Sequence, residues 1–235
     1  MDLILRDGFH HPSPDLPLWR YLDVTRFALL LADKVLCFGR FGRFGRFGRF
    51  GRFGRFGRFG RFGRFRRFRR FGAPGAPGEV GDTTYVSNWH QASAESMARW
   101  DTYAAHGAFV ALKTTLDRVQ HALKDSDIEI TAGKVAYRDF TLAGAPIDRT
   151  DVDGVLLYDR PALAHEQGVR LYTSMPSGQK RTGVSVSVDV SDLLDEVIVS
   201  PRADLATLRA VRALGTTYAP RLPVRPSTLL DPPAR

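Results

Sequence analysis

From Phe38 to Phe71 a phenylalanine stands at every third position. Phe-Gly-Arg triplets run to Arg64, pass into Phe65-Arg66-Arg67-Phe68-Arg69-Arg70-Phe71, and lead to Gly-Ala-Pro-Gly-Ala-Pro-Gly at 72–78. A period of three fits neither regular element. Successive Phe side chains would alternate faces on a strand and drift by about 60° per repeat around an α-helix. Polyproline II, with three residues per turn, would align them, but glycine at every third position favours flexible coil. A collagen-like reading fails because the triplets contain no proline. The segment is therefore expected as a low-complexity insertion, residues 39–82, between ordered elements. Stretching a loop from ~10 to ~34 residues costs only about 1 kcal/mol of closure entropy.

The repeat also distorts the charge. The chain of 235 residues carries +9, with thirty-four bases against twenty-five acids. Thirteen of those Arg lie between Phe38 and Phe71 with no acid among them, and so do twelve of the sixteen Phe. The remainder is mildly acidic, at −4, and shows no basic face. Two readings of the repeat stand. The arginines at Arg40–Arg70 and the interleaved rings could bind nucleic acid without sequence preference, by phosphate contact and base stacking. Alternatively it is a tandem expansion tolerated in a surface loop, which the near-identity of the triplets favours.

Outside the repeat about 200 residues remain, enough for one domain. A single cysteine, Cys37, excludes an internal disulfide and a Cys-based zinc site. The N-terminus has no basic, apolar leader, and the longest apolar run, Phe27–Ala32, is too short to span a bilayer. No membrane association, no metal site and a cytoplasmic location are expected.

Residues 1–16 read as a flexible tail and 226–235 as a Pro-rich one, bracketing a single domain over 17–225. Within it Leu18–Leu22 reads as a strand. Asp23 caps a helix with Val24, Phe27, Ala28 and Leu31 on one face, and Val35–Phe38 is a second strand. Thr84–His90 is a strand with Tyr85, Ser87 and Trp89 on one side. Ser93 is the expected cap of a helix bearing Met97, Trp100 and Ala104, with Tyr103 beside them. Further strands are expected at 107–112, 128–140, 155–158, 169–172, 184–190 and 196–199. Helices are expected around Leu116–Leu123 and over Leu205–Leu214, the latter stopped by Gly215, and Ala162–Glu166 reads as a helical turn. Strands and helices mix without βαβ alternation, which predicts an α+β fold with a mainly antiparallel mixed sheet.

No strong catalytic signature is present: no phosphate-binding Gly-rich loop, nucleophile elbow or His-Glu-x-x-His. Weaker constellations remain. Trp19-Arg20-Tyr21 sets a guanidinium between two aromatics, able to fork a phosphate or to pair with a surface acid. Ser87, Trp89 and His90 lie near a strand end, where pockets form. Trp100 and Tyr103, one turn apart, line either the core or a cavity. His165-Glu166 could act as base or transition-state stabiliser, or Glu166 could simply pair with Arg170 four positions on.

In order and spacing these pieces resemble a bacterial family known as domain of unknown function 2971. The resemblance runs from Leu18 to about Pro233, excluding the repeat. It rests on Leu18-Trp19-Arg20-Tyr21, Tyr85–His90, Glu95-Ser96 with Trp100 and Tyr103, Gly133–Tyr137, His165-Glu166 with Arg170, and Val197–Pro201. Two positions depart from the family pattern. The repeat replaces a Phe-x-Asp-Pro-x-Glu-Gly segment, and Gly168 stands where the late motif carries a second Glu. The resemblance implies no particular activity or cofactor.

The leading expectation is a ligand- or partner-binding domain, taking a small molecule or a protein, with a pocket around Arg20, His90 and Glu166. The alternative is an NAD-consuming, ADP-ribosyltransferase-like enzyme. By order along the chain, Arg20 would then contact phosphate, Ser87 support the ribose and Glu166 stabilise an oxocarbenium. Tyr21, Trp89, Trp100, Tyr103 and Arg170 complete the candidate ligand-binding set, and His165 with Glu166 the candidate catalytic one.

Overall fold

Strand order explains the architecture. In a computed structural model, which describes residues 3–5, 11–14, 16–41, 83–103, 108–139, 151–176 and 181–232, the chain folds as α+β around a mixed, mainly antiparallel sheet. The strands are β1 (Ile4–Leu5), β2 (Leu18–Asp23), β3 (Val35–Arg40), β4 (Thr84–Gln91), β5 (Phe109–Thr114), β6 (Thr131–Lys134), β9 (Gly168–Ser174), β10 (Gly183–Ser187), β11 (Glu196–Val199) and β12 (Val224–Pro226). A separate parallel pair joins β7 (Ala136–Tyr137) to β8 (Tyr158–Asp159). The main path runs β1-β6-β9-β4-β2-β5-β11-β12.

The sheet forks at β4. One edge of β4 pairs with β9 from Thr84 to His90. Its other edge pairs with β2 only at Trp19↔His90 and Leu18↔Gln91, and with β3 only at Gly39↔Val86 and Arg40↔Tyr85. Between those contacts, at Ser87–Trp89, β2 has peeled away toward β5, and β3 carries β10 on its far side.

The helices follow from local chemistry. Asp23 accepts from the Arg26 N–H (2.9 Å) and caps α1 (Val24–Asp33), whose Phe27, Leu30 and Leu31 are buried. With α2 being Met97–Tyr103, α3 (Leu116–Leu123) starts at a Thr115 cap, and Asp151 caps α4 (Val152–Leu156). After α5 (Val190–Leu193), α6 (Leu205–Tyr218) is capped by Asp204, and a 3-10 helix covers Pro161–Glu166. On one sheet face Leu18, Leu22, Trp89, Val110, Leu112 and Leu171 meet α1, α3 and α6 in the main core. The reverse face carries two smaller clusters. Trp19, Ala111 and Ile198 pack with Trp100 of α2, and Val86 and Tyr172 pack with Leu156 and Leu157.

Several expectations change. The first triplet of the repeat is ordered strand: Phe38 is core, 1% exposed, and Gly39 and Arg40 pair with β4. The expected flexible insertion over the rest, residues 42–82, lies outside the described residues. Near the N-terminus Leu3 is buried and Ile4–Leu5 pairs in parallel with β6, adding an edge where a loose tail is expected. Ser93 caps nothing. The helix begins at Met97, with Arg99 and Trp100 N–H groups both donating to the Ser96 carbonyl. Of the strand expected over 155–158, Val155 and Leu156 lie in helix α4, because the Asp151 carboxylate satisfies the N–H groups of Asp153 and Gly154, while Tyr158 enters β8. Gly215 does not end its helix. It lies inside α6, where a Cβ would stand 3.0 Å from Val224 Cγ2, so its value is close approach to β12. The Pro-rich end contributes β12, with Pro226 opposite Val199.

Candidate functional site

Strand alternation sends neighbouring residues of β2 to opposite faces. Arg20 lies on the face of Leu18 and Leu22, at the fork. Its guanidinium donates to the Cys37 carbonyl (Nη2–O 3.3 Å) and stands 5.7 Å from the centre of the Trp89 ring. Among the described residues no carboxylate pairs with it. Burial is the main cause that pulls its pKa down to about 10, with Cys37 opposing and Arg26 adding to the shift. Trp89, 3% exposed, donates from Nε1 to Ser87 Oγ at 2.9 Å. The Ser87 hydroxyl is thus engaged inside the core rather than offered to a ligand.

Tyr21 heads the reverse face. Its ring lies nearly parallel to His90 (5.3 Å between centres, 16°) and to Tyr103 (6.2 Å, 16°), and edge-on to Trp100 (4.6 Å, 85°). The Tyr21 hydroxyl accepts from the Ser96 N–H at 3.1 Å. Burial raises its pKa to about 12 despite that bond, so it remains a neutral phenol. Trp100 donates to Glu95 Oε2 at 2.9 Å. His90 is 6% exposed, and its Nε2 has no hydrogen-bond partner among the described residues. Burial, helped by the Arg99 charge, pushes its pKa down to about 3, and the imidazole stays neutral.

Glu166 closes this wall. It ends the 3-10 helix, and Arg99 Nη2 donates to its carbonyl at 2.5 Å. The Glu166 charge, after burial, contributes to raising the pKa of both Tyr103 and Tyr137, so its carboxylate lies near both phenols. Tyr103 is also hydrogen-bonded by Arg99 and remains 45% exposed. His165 instead turns outward, exposed, with Nδ1 3.2 Å from the Ala162 carbonyl of its own turn.

Arg170 does not pair with Glu166. Four residues on from the turn it already belongs to β9, where the helical i,i+4 spacing no longer applies. It pairs with buried Asp159 (3.0 Å), is itself half-buried, and donates to the Leu156 carbonyl. Tyr21, His90, Trp100, Tyr103 and Glu166 are therefore brought together, while Arg20, Trp89 and Ser87 gather on the opposite face of the same strands. Sequence reasoning missed Arg99, buried at 8% exposure, and Tyr137. Their contacts are long-range, and no local spacing announces them.

Among the described residues no group of three His, Cys, Asp or Glu is placed to hold a metal, and no helix is long and apolar enough to cross a membrane. No family model and no curated protein matches the sequence. Three solved structures of DarT from Thermus sp. 2.9 are similar over nearly the whole chain. The complex with ADP-ribosylated single-stranded DNA shows 12% identity, 93% coverage of this chain, 97% of that one and a TM-score of 0.45. The NAD+ complex shows 11% identity, coverages of 93% and 98% and a TM-score of 0.44. The carba-NAD+ complex shows 12%, 92%, 96% and 0.42. A likeness of this degree carries no argument about the reaction.

Proposed function

We propose that this chain binds a phosphate-bearing dinucleotide at the sheet fork and cleaves the N-glycosidic bond of NAD in an ADP-ribosyltransferase-like reaction. The supporting observation is Arg20, a guanidinium drawn into the fork with no acid to pair with among the described residues. A half-buried cation facing only a carbonyl and an indole is poorly compensated, and the planar guanidinium suits a phosphate partner. On the reverse face Tyr103, 45% exposed, offers a ring on which a planar base can stack near the Glu166 carboxylate, so a dinucleotide that meets both Arg20 and Glu166 has to pass through the gap that β2 and β3 leave beside Ser87–Trp89. In such a reaction the ribose C1′–nitrogen bond breaks and its electron pair leaves with nicotinamide. The acceptor then bonds to C1′ and gives up its proton. A carboxylate near C1′ stabilises the cationic transition state. Nothing favours Ser87 for the ribose, since Trp89 occupies its hydroxyl.

Incubation with NAD and measurement of released nicotinamide tests this. Release by the native chain should exceed that of Glu166→Gln by roughly 100-fold or more. Equal release from both would overturn the reading.

The repeat supports a second, separable activity: sequence-tolerant nucleic-acid binding through its arginines beyond Arg40, which itself is buried in β3. Deleting residues 43–78 should abolish affinity for single-stranded DNA and its salt dependence, about −0.7 in log–log slope per phosphate contacted. Retained affinity would exclude the repeat as its source.

A further inference from the structure

The turn that presents Glu166 is held from three directions. Arg99 of α2 donates to the Glu166 carbonyl (2.5 Å), the Gln91 N–H of β4 donates to the Gln167 carbonyl (2.9 Å), and the Gly168 N–H donates to the Tyr137 hydroxyl oxygen (2.8 Å). Between them Gln167 sits at φ 43°, ψ 48°, a left-handed conformation that a residue with a side chain adopts only when its surroundings impose it. Of the three anchors, only Tyr137 acts through a side-chain oxygen on a backbone N–H. The site is closely packed around residue 168: a Cβ there would stand 3.0 Å from Val135 Cγ2 and in ordinary contact, 3.4 Å, with the Tyr137 oxygen. Gly168 and Tyr137 thus form one device.

We propose that Tyr137 is a positioning residue for Glu166: by holding the Gly168 N–H it fixes the left-handed turn and with it the direction of the Glu166 carboxylate. This inference rests on the transferase reading for its catalytic consequence, but not for its structural one. The proximity of the Glu166 charge, which adds to the burial that raises the Tyr137 pKa, agrees with the placement. The device also gives Gly168 a purpose at the position where the family it resembles carries a second carboxylate.

The test compares the native chain with Tyr137→Phe, which keeps the ring and removes the oxygen, and with Tyr137→Leu. Two readouts are taken. In nicotinamide release from NAD, Tyr137→Phe should lower kcat by roughly 10- to 100-fold with KM changed less than about 2-fold, the signature of misplacement rather than lost binding. By nuclear magnetic resonance, Gly168 amide exchange should accelerate at least about 10-fold, and the Glu166 side-chain carboxyl carbon resonance should move, while amides of β4 and of β9 beyond Gly168 keep their protection. Native kcat in Tyr137→Phe would overturn the proposal. So would an unchanged Gly168 amide and an unmoved Glu166 carboxyl resonance. If the native chain releases no nicotinamide, the transferase reading falls alone, and the two resonance readouts still decide whether Tyr137 holds the turn. Uniform loss of protection across the sheet in both variants would make Tyr137 a core residue only, and that too would overturn it.

Discussion

Arg20 and His90 lie within a residue of the same β2–β4 rung, on opposite faces; among the described residues Arg20 meets a carbonyl but no carboxylate, and His90 Nε2 has no hydrogen-bond partner. The resolution differs. His90 gives up its charge: burial and Arg99 hold it neutral, stacked on Tyr21. Arg20 cannot shed its proton at neutral pH even with its pKa near 10, so its face keeps a cation facing a carbonyl and an indole. A neutral orphan costs stability and is tolerated. Under the proposed function, the cation at the gap in the sheet attracts the anionic ligand, and the Tyr21–Glu166 face orients it.

The division can be broken by experiment, beginning with the largest effect. If the reverse face performs chemistry, Glu166→Gln should reduce NAD cleavage by roughly 100-fold while leaving NAD affinity within about 3-fold. A variant that loses binding and turnover together would place Glu166 in attraction instead.

Next comes pH. Because the folded pKa of His90 lies near 3, below the ordinary 6.5, the unfolded chain takes up the proton first as pH falls. Its contribution is complete above pH 6.5 and declines toward pH 3, by up to about 1.4 kcal/mol per pH unit. His90→Phe, which preserves the stack, should remove that slope. Urea melts at pH 7 and pH 5 would then differ less in the variant than in the native chain by about 2 kcal/mol. Identical slopes would mean that His90 is hydrated or charged in the fold.

The smallest effect concerns Arg20 itself. Its replacement by the apolar Arg20→Met should leave unfolding free energy within about 1 kcal/mol of native, or raise it. A loss above about 2 kcal/mol would show that the guanidinium is a structural member of the fork.

Local chemistry made part of this legible in the sequence. Asp23 before an apolar stripe announces α1, and the Val184/Val186 alternation announces β10, where both valines are buried and Ser185 and Ser187 are exposed. The Thr84–His90 alternation correctly puts Ser87 and Trp89 on one face and, by the same rule, separates Arg20 from Tyr21. What strand order cannot reveal is the fork. Whether β2 stays on β4 or peels away is decided by pairing with β5 across 90 residues of chain, and the expected single pocket around Arg20, His90 and Glu166 was blind to that. The i,i+4 reading of Glu166 and Arg170 failed because the 3-10 helix ends at Glu166, and Asp159 came from a segment with no helical signal toward β9. Val155 and Leu156 join a helix, leaving only Tyr158 of the expected strand in β8, because an apolar run of that length is equally at home in a buried helical turn. The first repeat triplet entered β3 because Phe38 completes the alternation begun at Leu36, a continuity that the period of three conceals.

The most direct test of the central claim, that Arg20 is a phosphate handle, is a calorimetric titration of ADP-ribose into the native chain and into Arg20→Gln at low salt. ADP-ribose carries the phosphates without the bond to be broken, so affinity alone is read. Loss of a hydrogen-bonded charge should weaken binding by roughly 10- to 100-fold in Arg20→Gln. Equal affinity in the two proteins, or no binding to either, would contradict the account.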